Sequence, residues 1–141
     1  MKHFDHERLD VYRTSLEFVA FASRLAHDLP KGNAHITKQL DRAAISIPLN
    51  IAEGAGEFSR NDKARFYRIA LRSTTECAAI LDVCRHLHLV PDERTDHGRS
   101  LLLRITSMLT VMAKRLGREP SGTGRGTGAG TGTEGQNDHI P

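Results

Sequence analysis

Tryptophan is absent from these 141 residues, and aromatic side chains together make up only 5% of them. With no sustained alternation of apolar and polar residues either, sheets built on aromatic and β-branched pairs are excluded. No apolar run reaches the roughly 18–20 residues that cross a bilayer. The opening MKHFDHERLD is charged and has none of the apolar stretch of a secretory signal. A cytoplasmic location, with no membrane partner, is the expectation. Cysteine is nearly missing too, with only Cys77 and Cys84. Seven positions along one helix put them about 10 Å apart, too far for a disulfide, so both read as reduced core residues. Cys84 and His88, four apart, supply half a metal site with no second pair near them in sequence, and packing is the better reading. No metal and no other cofactor is expected. The spacings H-E-x-x-H, G-x-S-x-G and the P-loop do not occur, and no residue is given a catalytic role. A large charge of one sign is lacking as well: 20 Lys and Arg against 17 Asp and Glu leave +3. So small an excess is not that of a dedicated nucleic-acid binder, and where the charge lies matters more than its sum.

What the chain does have is helical periodicity. From about Asp5 to Leu29, the residues Val11, Ser15, Phe18, Ala22, Leu25 and Leu29 form one seam, widened by Tyr12, Val19 and Ala26. The stretch LPKGN breaks this helix at Pro30 and Gly32. A second helix spans Ala34 to Gly56 with Ile36, Leu40, Ala43, Ile47 and Ile51 as its seam. After GEFSRND, where Ser59 is a candidate N-cap, a third runs from Arg60 to Leu87 through Phe66, Ile69, Ala70, Ser73, Cys77, Ile80, Leu81, Cys84 and Leu87. Pro91, Asp92 and Glu93 suit the first turn of a fourth, whose apolar face is Leu101, Leu102, Ile105, Met108, Leu109, Met112 and Leu116, with Gly98 weakening its first half. Four helices with short connections predict an all-α, antiparallel, up-down-up-down bundle over residues 4–116. From 117 to 141 the sequence turns Gly/Thr-rich and almost devoid of apolar residues, which predicts a disordered tail. The G-x-G-x-x-G pattern at Gly130, Gly132 and Gly135 follows no strand and precedes no helix, so it carries no dinucleotide site.

Pro48 stands inside the second helix, where it removes a donor and crowds the carbonyl of Ala44. The alternatives are a true break between Ile47 and Asn50 or a helix that continues with a kink, and we favour continuation. Ile45, Leu49 and Ala52 fall on the side of this helix opposite its core seam. A monomeric four-helix bundle has no use for two apolar faces on one helix, so these three residues are read as an oligomer interface. Arg42, Ser46, Asn50 and Glu53 form a polar row along the same helix, either a ligand site or, more simply, a network that fixes helix and subunit register.

The stretch RAAISIPLNIAEGAGEFSR, followed by FYRIALRSTTE, resembles the four-helix bundle proteins encoded in bacterial 23S rRNA intervening sequences; FDHERLDVYRTSLEF and LPKG fit that family too. The resemblance covers about residues 4–116. It implies an antiparallel bundle that assembles as a homopentamer. It extends distantly to the accessory variability protein of diversity-generating retroelements, a basic pentamer that binds reverse transcriptase and nucleic acid. Residues 58–72 hold Arg60, Lys63, Arg65, Arg68 and Arg72 against one acid, Asp62. Guanidinium groups suit phosphate, so this stripe is the candidate for contact with RNA or a nucleic-acid-handling protein such as a reverse transcriptase. The alternative is a solvated face on a structural oligomer or protein adaptor. Removal of residues 118–141 is expected to move the thermal midpoint by no more than about 2 °C, since no packed contact is lost. A scan of the shortened chain beside the full one checks this.

Overall fold

The computed structural model describes residues 2–117. One 3-10 turn, Asp5–Arg8, precedes α1 (Asp10–Asp28), α2 (Ala34–Gly56), α3 (Arg60–His86) and α4 (Asp92–Gly117). No strand occurs among the described residues. The tail beyond Gly117 lies outside them, and Gly117 itself closes α4 instead of opening a tail.

The first helix starts later than its periodicity suggests. Leu9 is extended (φ −87°, ψ 125°) and separates the 3-10 turn from α1. The local chemistry accounts for this: the Glu7 carboxylate accepts from the Phe4 amide at 3.3 Å and folds the short turn back on itself. Asp10 then opens α1 with a carboxylate at the positive end of the helix dipole. Gly32 takes φ +95° at the corner before α2, a conformation that side chains with a Cβ avoid. The Ser59 hydroxyl accepts from the Asp62 amide at 3.0 Å, so the expected N-cap of α3 is in place. The second helix is unbroken through Pro48, which is buried.

Each helix packs on two others: α1 on α2 and α4, α3 on α2 and α4, with neither diagonal pair in backbone proximity. Side-chain contacts fix their senses. Along α2 and α3, Arg42 meets Glu76, Ser46 meets Ser73, and Gly54 lies under Tyr67. Numbers rising on one helix meet numbers falling on the other, so the two are antiparallel. At opposite ends of α3 and α4, Arg60 reaches the Arg115 carbonyl and Arg85 pairs with Asp92 and Asp96. Arg94 near the start of α4 pairs with Asp28 at the end of α1. Thr37 donates to the Ala26 carbonyl across the α1–α2 corner.

Phe18, Leu25, Leu40, Ile47, Ile51, Ile105 and Leu109 are fully buried at the centre. The seams expected for α1 and α2 hold, except that Leu29 is only half-buried. In α3 the seam shifts: Phe66, Ile69 and Ile80 are half-buried and Leu87 is exposed, whereas Ala64, Tyr67 and Thr74 are inside. Buried hydroxyls are satisfied locally. Thr14, Thr74 and Thr95 donate to the carbonyls of Asp10, Ala70 and Asp92 at 2.8–2.9 Å.

Gly98 has a packing reason that periodicity does not show. It faces Phe21 so closely that a Cβ built there would collide with the ring, which itself stands edge-on to His97 at 5.7 Å between centroids. Gly98→Leu should therefore destabilise the bundle by about 1–3 kcal/mol through overpacking, although leucine is the better helix former. A lowered urea midpoint at unchanged slope would report it.

Candidate functional site

The α2–α3 pair carries the polar row, the basic stripe and the expected interface residues. Between the two helices runs the polar row, and three of its four members make side-chain hydrogen bonds. Arg42 donates to Gln39 at 3.0 Å and pairs with the Glu76 carboxylate on α3. Ser46 and Ser73 share a 2.7 Å hydrogen bond. The Asn50 amide donates to the Ser46 carbonyl at 2.8 Å and to its hydroxyl at 3.0 Å. Glu53 does not join them: it is exposed and has no partner among the described residues. Below this row Gly54 makes room for Tyr67, whose Cε1 would lie 2.7 Å from a Cβ at that position. Burial raises the Tyr67 phenol above its usual range.

Arg65, Arg68 and Arg72 stand on the outward face of α3, all three exposed. Their place is opposite the buried seam of α3. Arg65 lies over the Phe66 ring with its guanidinium carbon 4.9 Å from the centroid. Arg68 and Arg72 have no carboxylate partner among the described residues. The other two members of the stripe are engaged differently. The Lys63 ammonium donates to the carbonyls of Gly54 and Ala55 at 3.3 and 2.9 Å, closing the C-terminus of α2. Arg60 donates to the Arg115 carbonyl at 2.7 Å and ties α3 to the end of α4. Farther along the same outward face, Val83 is 45% exposed.

On α2, Ile45 and Leu49 are 47% and 57% exposed, and Ala52 is half-buried. They occupy the side turned away from the core, where none of the four described helices covers them.

Both cysteines are free and buried. Burial, reinforced by neighbouring Glu76 and opposed by Arg42, pushes the Cys77 thiol up to about 12. Burial also raises the Cys84 thiol. Thiols held protonated in this way are poor nucleophiles and poor metal ligands. His88, the other half of the Cys84 pair, is exposed in the α3–α4 turn with φ 53°. Among the described residues no group of three His, Cys, Asp or Glu side chains converges as a metal site, and no helix is long and apolar enough to cross a membrane.

A family model described as 23S rRNA-intervening sequence protein matches residues 7–111. The chain belongs to that family. The match takes in α1, α2, α3 and most of α4. A search of curated proteins finds no match. Among solved structures, a protein of unknown function from the S23 ribosomal protein family of Bacteroides thetaiotaomicron superimposes with a TM-score of 0.69 at 25% identity. The alignment covers 74% of this chain and 98% of that one. Family membership thus agrees with the resemblance carried by SIPLNIAEG and supplies a fold without an activity.

The Ser46–Ser73 contact yields a test of the register network. Ser46→Ala leaves the buried Ser73 hydroxyl without its partner and should cost about 1 kcal/mol. Ser73→Ala should cost a similar amount. The double variant should lose less than the sum, because removing both hydroxyls leaves nothing unpaired. Urea unfolding of all four proteins completes the cycle.

Proposed function

We propose that the protein is a non-enzymatic, homo-oligomeric binding scaffold that engages RNA phosphates through Arg65, Arg68 and Arg72. The observation that carries this reading is the exposed arginine face of α3, on which Arg68 and Arg72 have no carboxylate partner among the described residues. Five other arginines of the bundle are ion-paired, Arg13, Arg42, Arg85, Arg94 and Arg99, whereas Arg8, Arg24, Arg104 and Arg115, unpaired among the described residues, are scattered over the other elements. A guanidinium left unpaired on a helix face can offer a planar fork of donors to phosphate. Spacings of three and four along a helix hold the three groups within about 11 Å of one another along the axis, a span that matches a few nucleotides of single strand. Arg60 and Lys63 flank the patch at its start but already hold backbone carbonyls, so they add field more than contacts. Assembly rests on Ile45 and Leu49, exposed apolar residues on a helix that already has a complete core face. The family resemblance favours five copies.

A second reading has its own observation. After Arg72 the exposed side of α3 carries Ala79 and Val83 among Thr75 and Asp82, a mixed surface that suits a protein partner such as a nucleic-acid-handling enzyme. Salt dependence separates the two. On single-stranded RNA, log affinity should fall with log salt by about 0.7 per phosphate contact. Substituting Gln for Arg65, Arg68 and Arg72 together should flatten that slope and weaken binding to unrelated sequences alike, because phosphate contacts carry no base readout. Folding should survive, since all three lie on the outward face. Absence of wild-type binding at about 50 mM salt, or equal binding by the triple variant, would exclude the RNA reading and leave the protein-adaptor reading.

A further inference from the structure

We infer that Phe58 stacks an unpaired nucleobase, which makes single-stranded RNA the ligand of this end of the bundle; this rests on the phosphate reading of the α3 arginines and adds the base contact they lack. Phe58 is 101% exposed, more than any other large apolar residue described. It stands between Glu57, which follows α2, and Ser59, the N-cap of α3. An apolar residue at that position often packs on the fourth residue of the helix and fixes the entry of the chain. Here the fourth residue is Lys63, whose ammonium turns to the Gly54 and Ala55 carbonyls instead. The Ser59 hydroxyl makes the cap without the ring. No other ring among the described residues pairs with Phe58. The turn forms without it, and a phenyl ring is left in water.

The charge around this ring is mostly positive. Arg60 reaches the Arg115 carbonyl at 2.7 Å, which brings the end of α4 beside the start of α3. From His97 to Gly117 that helix has no acidic residue. Arg60, Lys63, Arg65, Lys114 and Arg115 therefore share this end of the bundle with the acids Glu53, Glu57 and Asp62. The acids Asp5, Glu7 and Asp10 belong to the 3-10 turn and the start of α1, where Glu7 and Asp10 pair with His3 and Arg13. Arg65, Arg68 and Arg72 follow Ser59 by about 9, 14 and 20 Å along the axis. A base on Phe58 thus belongs to the same short strand whose phosphates those arginines hold. The Phe66 ring under Arg65, 4.9 Å from its guanidinium carbon, steadies the arginine nearest Phe58. A protein partner would find little else here to bury, because Phe58 is flanked by Glu57, Ser59, Arg60 and Asn61. Energetic anchors of protein interfaces sit instead within a surround that excludes water. A lone aromatic among cations matches what a single strand offers, since every base has a π-face beside a phosphate. In duplex RNA the bases stack on one another and are closed to it.

Two variants of Phe58 test this against a mixed-sequence single-stranded RNA oligonucleotide at about 50 mM salt. Because the ring is fully exposed, both should keep the wild-type circular dichroism. Phe58→Ala should weaken binding about 5- to 100-fold, the value of one base stacked on an aromatic ring. The slope of log affinity against log salt should not change, because stacking releases no counterions. Affinity for duplex RNA should not change either. The chain has no tryptophan, so Phe58→Trp places a single indole reporter at the site. This variant should bind as tightly as wild type, and its fluorescence should be quenched as the single strand is added. Equal binding of the single strand by Phe58→Ala and wild type overturns the base contact and leaves the arginine reading standing. So does an equal loss on duplex, or an indole whose emission is unchanged when RNA is bound. Absence of RNA binding by the wild type overturns both readings.

Discussion

The contact on which the rest of this structure depends is the close antiparallel approach of α2 and α3. Small residues make it possible: Ser46 faces Ser73, and Gly54 leaves room for the Tyr67 ring. A buried hydroxyl that loses its partner costs about 1–3 kcal/mol. Sliding α2 by one residue would unpair Ser73, turn the helix by about 100°, and drive a side chain with a Cβ into Tyr67. The three penalties act together, so one register survives. That register decides which side of α2 is outward, and with it the exposure of Ile45 and Leu49. Through Arg42 and Glu76 it also sets which face of α3 is left for its arginines.

Pro48 fits the same arrangement. A proline inside a helix costs about 3 kcal/mol, and burial is the only local source of compensation. Pro48 is itself buried, between Ile47 and Ile51 of the core seam on one side and the outward Leu49 on the other. Covering the exposed parts of Ile45 and Leu49 would contribute about 2 kcal/mol each at 25 cal/mol per Å². The monomer forgoes that energy. A second copy packed on this face would recover it, and this is why the apolar excess of α2 favours assembly over a loosely packed core.

Much of this was legible in the sequence, and the limits have physical causes. The bounds of α2 and the Ser59 cap could be read because Pro30, Gly32, Gly56 and Ser59 act locally. The seams of α1 and α2 could be read because a clean stripe of aliphatic residues admits one orientation. The seam of α3 was less legible. Thr74 is buried because its hydroxyl bonds the carbonyl four residues back, so a polar letter conceals an apolar surface. Leu87 lies past the last helical residue and faces water, although the periodicity carries it inward. The fit of Gly98 to Phe21 joins residues far apart in the chain, and no spacing rule anticipates it. Long basic side chains are the least legible of all. Lys63 and Arg60 resemble Arg68 and Arg72 in the sequence, yet the first two hold carbonyls and the last two do not. Only the placement of a helix C-terminus beside them makes the difference.

The arginine face and the assembly bear on each other. Exposed charge contacts are worth about 0–1 kcal/mol apiece in water, so three of them on a single subunit would hold RNA only weakly at physiological salt. An assembly through the exposed side of α2 would leave the outward face of α3 uncovered. Every copy would then keep Arg65, Arg68 and Arg72 open. A strand held by one copy is presented to the next at high effective concentration, and affinity grows with each copy without any new kind of contact. An α2-on-α2 dimer offers two such patches facing apart, with far less gain. The mode of assembly, more than the strength of any single arginine contact, therefore determines whether this fold can act as a nucleic-acid scaffold.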